Sequence, residues 1–129
     1  MEHPNLVYKI VDTNLINLQI AEQPLSQLDA KDGFIHLSTA RQTQNTLLRY
    51  FQAHSQVTVL KIDLHAVRDQ VKWEQVNLVD SDGNHVVEDF PHIYGPLRTE
   101  YISEVAFVHK VVDKKDNSSR WIFPTNFLM

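Results

Sequence analysis

Hydrophobic residues occur mainly in short runs that are typical of β-strands. Residues 6–11 are apolar nearly throughout, with Lys9 as the only charged member, and residues 57–63 are apolar on both faces. Such runs predict inner strands, because a strand covered on both faces can carry apolar residues at every position. β-Branched and aromatic residues predict further strands at 34–38, 71–79, 104–112 and 120–123. The pattern predicts five to six strands.

One helix has a well-defined predicted start. Thr39-Ala40-Arg41-Gln42 has the Thr-x-x-Gln form of a capping box, and apolar residues recur at helical spacing through about Ala53. Residues 64–70 fit a helix of one or two turns, and residues 12–31 are predicted to be irregular with one or two helical turns. Strands with so few helical connections predict an α+β fold, with two mixed or antiparallel sheets and one main helix.

Two segments contain residues that favour turns and loops. Ser81-Asp82-Gly83-Asn84 is a strong turn signal. Residues 88–97 contain Pro91 and Pro96, which exclude a helix interior and predict a stiff loop. A loop of this kind is costly to order unless it packs or binds something, which draws attention to its polar residues.

Composition narrows the classes of function. The 129 residues predict a single domain spanning 1–129, and the absence of cysteine excludes disulfides, thiolate metal sites and cysteine nucleophiles. The first five residues lack the basic region and the long apolar run of a leader, and no later apolar run is long enough to cross a membrane, so we expect a soluble, cytoplasmic protein. The net charge of −4 argues against bulk nucleic-acid binding, although a pocket for one nucleotide needs only a few cations.

The common catalytic and nucleotide-binding motifs are missing. Three glycines cannot build a glycine-rich phosphate cradle, and neither a nucleophile elbow nor a zinc-protease motif is present. The remaining candidates are polar residues set in apolar segments. Of the seven histidines, five are expected to be surface or structural residues, namely His3, His54, His65, His85 and His109.

His36 is the first candidate. It lies between Ile35 and Leu37, so its ring is either a core residue bonded by the backbone or a pocket residue for acid–base chemistry. Ser38 and Thr39 follow at the helix start, where they can cap the helix or bind a phosphate or ribose hydroxyl.

Glu74 and His92 are the other catalytic candidates. Glu74 follows Trp73 in a predicted strand and either faces water or accepts a sugar hydroxyl. His92 and Tyr94 lie in the proline-bracketed loop. Two histidines and a glutamate can also ligate a metal ion. Their separation in the sequence does not test for such a site, and no metal is expected.

The segments around His36, Glu74 and His92 resemble those of a known family. Asp32-Gly33-Phe34-Ile35-His36-Leu37-Ser38-Thr39, then Trp73-Glu74, then the string from Phe90 to Leu97 resemble domain-of-unknown-function family 952. The resemblance covers roughly residues 6–123. It implies an ADP-ribosyltransferase-like fold, in which two small sheets surround a cleft that holds NAD in active relatives.

His36-Leu37-Ser38 is also similar to a stretch of RNA 2′-phosphotransferases, which share that fold. This resemblance implies that His36 contacts the nicotinamide ribose, and that Lys9 stands where those enzymes have another histidine. A lysine is a point charge, whereas an imidazole both donates and accepts hydrogen bonds.

The leading hypothesis is therefore a nucleotide-binding domain, with NAD as the implied cofactor and ADP-ribosyl or 2′-phosphate transfer as the implied activity. In that hypothesis His36, His92 and Glu74 are catalytic, and Lys9, Ser38, Thr39 and Tyr94 bind the cofactor. The partner is a small nucleotide or an ADP-ribose acceptor. The alternatives are an inactive nucleotide- or protein-binding module of the same fold, and a structural protein in which these groups only satisfy one another.

Overall fold

The computed structural model describes residues 3–12, 16–80 and 82–129. Its strands are β1 (Leu6–Val11), β2 (Ile35–His36), β3 (Gln56–Asp63), β4 (Val71–Val79), β5 (His85–Ile93), β6 (Ile102–Val112) and β7 (Ser119–Ile122). Its helices are α1 (Gln27–Asp32) and α2 (Ala40–Tyr50), and single 3₁₀ turns span Leu64–Ala66, Arg68–Gln70 and Thr99–Tyr101.

The strands form two separate antiparallel sheets. The larger sheet has the order β1-β3-β6-β7, and the smaller one has the order β2-β5-β4. Every strand pair is antiparallel, and α2 is the one long helix of the described residues. The prediction of an α+β chain with two sheets and one main helix is confirmed at this level.

Side-chain alternation in the larger sheet separates two apolar clusters. Val7 points to one face, where it packs with Ile35 and Ile93 of the smaller sheet. Tyr8 points to the other face, where it packs with Leu47 of α2. The larger sheet therefore lies between the smaller sheet and α2, and consecutive residues of its strands are buried on opposite faces. The side chains of the smaller sheet that alternate with Ile35 and Ile93 point away from this core.

The apolar run of the first strand predicted a central strand, but β1 lies at an edge of the larger sheet. Its sequence resembles that of an inner strand because both of its faces are covered, one by α2 and the other by the smaller sheet. Its outer edge is closed in part by a pair of backbone hydrogen bonds between Tyr8 and Ser38, 2.8 and 2.9 Å long.

This pair of bonds also explains why the predicted strand 34–38 is short. Only Ile35 and His36 pair with β5, after which the chain crosses to the larger sheet at Ser38. The capping box of α2 is confirmed, since the Thr39 hydroxyl accepts from the Gln42 N–H and the Gln42 side chain accepts from the Thr39 N–H. The helix ends at Tyr50, three residues before the predicted end.

The prediction of a loop over 88–97 is wrong for its first half, because residues up to Ile93 belong to β5. Pro91 fits this strand because its carbonyl accepts a hydrogen bond from the Leu37 N–H, so its nitrogen also faces the β2 side. β2 ends at His36, one residue before Leu37. The pairing of β5 with β4 loses no hydrogen bond at Pro91. Proline is tolerated where a strand has no partner for its nitrogen.

The turns connecting these elements follow the sequence signals. α1 supplies the helical turns expected within 12–31, with the Ser26 hydroxyl as its N-cap and Gly33 at φ +81° as its left-handed C-cap. The turn predicted at 81–84 begins at Ser81, which lies outside the described residues, and so does Leu15 of the irregular segment. Among the helices of the described residues, none is long and apolar enough to cross a membrane.

Candidate functional site

Four rings form a cluster on the face of the smaller sheet that points away from the larger one. His36 and His92 are direct cross-strand partners, and their ring centroids lie 5.5 Å apart at a steep angle. The Phe34 ring contacts both imidazoles, at 4.6 Å from His36 and 4.3 Å from His92. Tyr94 completes this ring cluster, with its centroid 5.2 Å from that of Phe34.

Glu74 joins the ring cluster from the neighbouring strand. Its Oε1 lies 2.8 Å from His92 Nδ1 and accepts a 2.6 Å hydrogen bond from the Tyr94 hydroxyl. Trp73, the preceding residue, packs against the apolar core on the opposite face. The hydrogen bonds from Tyr94 and His92 lower the pKa of Glu74 below its ordinary 4.5, and the same bond to Glu74 raises the pKa of Tyr94.

The Glu74 contact defines which nitrogen of His92 carries a proton. An ionised carboxylate only accepts hydrogen bonds, so Nδ1 of His92 is the donor. The Nε2 atom of the neutral ring is then an acceptor and can take a proton from a bound molecule. His92 is almost fully buried, with 7% of its side chain exposed, which fixes the ring in this orientation.

His36 is held by two carboxylates. Its Nδ1 lies 2.7 Å from Asp29 Oδ1, and its Nε2 lies 2.9 Å from Asp32 Oδ2. Because both partners are acceptors, the geometry is satisfied when both ring nitrogens carry a proton. Both ring nitrogens of His36 are thus engaged by carboxylates, and 30% of its side chain is exposed.

Asp29 connects His36 to the larger sheet. Its Oδ1 also accepts the backbone N–H of His36, and its Oδ2 lies 2.6 Å from Lys9 Nζ. Burial acts to raise the pKa of Asp29, but the His36 hydrogen bond and the Lys9 charge outweigh it and lower this pKa to about 2. Burial lowers the pKa of Lys9 despite the attraction of Asp29. Asp29 is therefore an ionised, buried carboxylate that orients His36.

The structure separates the predicted site residues into two groups. It brings together His36, His92, Glu74 and Tyr94, and it turns Lys9, Ser38 and Thr39 to internal contacts. Ser38 is buried, and its hydroxyl lies 3.1 Å from that of Thr46. The Thr39 hydroxyl caps α2.

A bound dinucleotide does not fit the second group in this arrangement. The Lys9 ammonium is buried against Asp29, and Ser38 is likewise withdrawn from the surface. The partly exposed Asp32 carboxylate places negative charge beside His36, which disfavours a diphosphate there.

Sequence reasoning missed Asp29, Asp32, Phe34 and Lys72. Lys72 places its Nζ 4.7 Å from the centre of the Tyr94 ring, where it supplies positive charge beside the ring cluster. The alternation of His92 and Tyr94 around Ile93 was an available signal for a shared face, once 88–93 is assigned to a strand. No sequence signal identifies Asp29, because its position depends on how α1 packs against β2.

The described residues contain no group of three or more histidines and carboxylates placed to hold a metal ion. The two best-formed depressions on the described surface also lie away from the ring cluster. One, of about 380 Å³, lies between α2 and the β6–β7 hairpin, and the other, of about 330 Å³, lies along residues 65–70.

Residues 13–105 match the model of a family described as "Protein of unknown function (DUF952)". The chain belongs to the DUF952 family. A comparison with curated proteins found no match.

Solved structures similar to this DUF952 chain come from Caulobacter crescentus. The crystal structure of protein CC0527 is 27% identical, with 88% of this chain and 92% of that chain covered and a TM-score of 0.64. A double mutant of CC0527 gives the same values. The solution NMR structure of CC0527 is 26% identical, covers 87% of this chain and 90% of that one, and has a TM-score of 0.62.

Proposed function

We propose that this DUF952 protein is a nucleotide-binding domain with ADP-ribosyltransferase-like architecture, and that the ring cluster receives the nucleoside part of the ligand. The observation that carries the proposal is the convergence of His36, His92, Glu74 and Tyr94 on one face of the smaller sheet. The two antiparallel sheets and the single long helix agree with the proposed architecture.

The ring cluster offers the contacts that a nucleoside needs. Tyr94 is 37% exposed and Phe34 is half-buried, so an aromatic base can stack against them. The partly exposed Glu74 carboxylate can accept a ribose hydroxyl, and His92 Nε2 adds a second acceptor. Aromatic surface combined with a few fixed polar groups is typical of small-ligand sites.

Charge around the ring cluster indicates how such a ligand is oriented. The carboxylates of Asp29 and Asp32 lie on the His36 side, whereas the Lys72 ammonium lies on the Tyr94 side. A phosphate group is therefore favoured near Lys72 and disfavoured near His36. This orientation fits a mononucleotide or one end of ADP-ribose, and it makes no use of Lys9 or Ser38.

Calorimetric titration with adenosine, AMP, ADP-ribose and NAD tests the proposal. We expect AMP and ADP-ribose to bind, and Tyr94→Ala to weaken both by about tenfold or more through lost base stacking. Lys72→Gln is expected to weaken AMP but not adenosine, and Lys115→Gln, an exposed lysine of the turn before β7, serves as the matched control. Absence of binding by all four ligands would contradict the proposal.

A second candidate, transfer of an ADP-ribosyl or 2′-phosphate group, is favoured by the two adjacent imidazoles. His92 Nε2 is placed to accept a proton, and His36, whose two ring nitrogens contact Asp29 and Asp32, lies directly beside it. Release of nicotinamide from NAD, alone or together with transfer of the 2′-phosphate of an oligonucleotide to the ADP-ribose, would support it, provided that His92→Ala abolishes the release. Binding without release supports an inactive module. Unchanged binding with a lowered melting temperature in His36→Ala and His92→Ala supports a purely structural role.

A further inference from the structure

The outer edge of β4 has no partner strand among the described residues. β4 (Val71–Val79) lies at the end of the smaller sheet and pairs only with β5. Backbone hydrogen bonds from the Tyr94 N–H to the Gln70 carbonyl and from the Asp80 N–H to the Asn84 carbonyl lie at the two ends of this pairing. Because hydrogen-bonded pairs alternate along an antiparallel ladder, the even-numbered residues of β4 bond to β5, and the odd-numbered residues point their backbone groups outward.

Four odd-numbered residues therefore present open backbone groups, namely Trp73, Gln75, Asn77 and Val79. Within the part of the chain that the structure describes, their N–H and C=O groups have no protein partner. The fifth, Val71, already donates its N–H to the Arg68 carbonyl. An open strand edge of this length is a template on which another strand can pair.

Three other strand edges are closed by specific contacts. The β1 edge is bonded to the backbone of Ser38, and the Asp29 carboxylate accepts the outward N–H of β2. Gln44 bonds both backbone groups of Trp121 at the edge of β7. β6 extends beyond β7, but that stretch carries Glu104 and a register shift in its pairing with β3, and both features discourage strand addition.

The central and C-terminal part of β4 lacks these protective features. Residues 75–79 carry neither a charge nor a proline, and the pairing with β5 runs from Val71 to Val79 without a register shift. Val79 itself is 52% exposed. Natural sheets protect long exposed edges with charges, prolines or bulges, so an edge without them is expected to pair with another chain.

One register makes this edge complementary to itself. When two copies of β4 pair antiparallel about a two-fold axis at Val76, Trp73 of each copy lies opposite Val79 of the other. Gln75 lies opposite Asn77 in the same way. All four residues with open backbone groups are then hydrogen-bonded in both copies.

Charge favours this register over its neighbours. It places Lys72 opposite Asp80 of the other copy, whose Oδ1 accepts two N–H groups of the turn while Oδ2 is left for the ammonium. An axis at residue 74 would place Glu74 opposite itself, and an axis at residue 77 would place Glu74 opposite Asp80. Like charges at opposite positions destabilise strand pairing, and an axis at residue 75 forms no ion pair.

We propose that the protein forms a two-fold symmetric dimer in which the β4 edges of two copies join their smaller sheets into one six-stranded antiparallel sheet. Lys72 and Glu74 lie on the same face of β4, beside the ring cluster. In the dimer the β4–β5 hairpin of the other copy therefore flanks each ring cluster. The proposal does not rest on nucleotide binding, and either one can fail while the other holds.

Sedimentation equilibrium of the ligand-free protein tests the dimer. The 15.0 kDa chain is expected to show twice that mass at a concentration of about 100 µM. Asn77→Pro removes an outward N–H that β5 does not use, so we expect a folded monomer, whereas Asn77→Ala keeps the N–H and should remain dimeric. A monomeric wild type, or an Asn77→Pro protein that is folded and dimeric, would overturn the proposal.

A cysteine at the two-fold axis tests the register, and this test does not require the proline variant to fold. The chain has no cysteine of its own, so Val76→Cys introduces a single thiol. Two copies then face each other as a non-hydrogen-bonded pair, with Cα atoms about 4.5 Å apart, which is within the range of a disulfide. Mild oxidation should link Val76→Cys into dimers at least about tenfold faster than Val87→Cys, an exposed position of β5 away from this edge. An equal or slower rate for Val76→Cys would contradict the proposed pairing.

Discussion

His36 and His92 are direct cross-strand partners, and their rings meet at a centroid distance of 5.5 Å although the residues are far apart in the sequence. Each ring is oriented by a carboxylate, His36 by Asp29 and His92 by Glu74. Carboxylate partners of this kind fix the tautomer and orientation of an imidazole. We therefore expect substitutions of the carboxylates, as well as of the rings, to change the site.

Asp29 is expected to be the residue of the site with the largest effect on stability. Asp29→Asn leaves the Lys9 ammonium buried without its counter-charge, which costs about 3 kcal/mol in pairs of this kind. Chemical denaturation measures the loss. The control is Asp69→Asn, an exposed aspartate, which should change the free energy of unfolding by no more than about 0.5 kcal/mol. Equal stability of the two variants would show that the buried pair is not coupled to folding.

The pKa of Asp29 also predicts how stability depends on pH. Its folded pKa of about 2 lies below the ordinary value of 3.8, so ionisation of Asp29 stabilises the folded state at neutral pH. The shift corresponds to about 2 kcal/mol, which is present above the unfolded pKa and is lost as the pH falls through the folded pKa. Denaturation curves between pH 7 and pH 2 should therefore show the difference between wild type and Asp29→Asn shrinking in acid. A difference that is constant with pH would contradict this assignment.

Tyr94→Phe tests the hydrogen bonding of Glu74. The Tyr94 hydroxyl is the largest cause of the lowered Glu74 pKa, so its removal should raise that pKa toward the ordinary 4.5. His92 still contacts the carboxylate and should keep part of the effect. Carbon NMR of the Glu74 carboxyl group measures the change, and Tyr50→Phe, an exposed tyrosine of α2, should leave it unaltered. An unchanged pKa in Tyr94→Phe would mean that the bond does not persist in solution.

Asp32→Asn is expected to strengthen the binding of phosphorylated nucleotides. Asp32 contacts His36 Nε2 and places a negative charge at a partly exposed position beside the ring cluster. Its neutralisation should raise the affinity for AMP by a few-fold, as expected from the loss of one surface charge interaction. The affinity for adenosine, which carries no phosphate, should be unchanged. Calorimetry measures both affinities. A parallel change in the affinities for AMP and adenosine would indicate a rearranged site and not an electrostatic effect.

Elements with strong local sequence signals were predicted correctly. The capping box at Thr39 and Gln42 located the start of α2, and the apolar runs located β1 and β3. Proline misled the prediction at residue 91, because a strand excludes proline only where its nitrogen faces a partner strand. Whether the Pro91 nitrogen faces a partner strand depends on where β2 ends, and no local sequence pattern indicates that end.

The same limit explains which part of the site could be predicted. His36, Glu74, His92 and Tyr94 were recognisable as polar residues set in apolar or stiff segments, and the structure places them together. Asp29 was not recognisable, because a short helix brings it to both Lys9 and His36 through long-range packing. Likewise, the burial of Ser38 follows from its backbone pairing with Tyr8, a contact between distant parts of the chain.

The most direct test of nucleotide binding at the ring cluster is a map of backbone amide shifts in proton–nitrogen NMR during titration with AMP. The account predicts that the largest changes fall in residues 34–36, 72–74 and 92–94, and that they disappear in the Tyr94→Ala variant. No saturable change, or changes confined to residues 47–52 and 119–121 on the other side of the larger sheet, would contradict it.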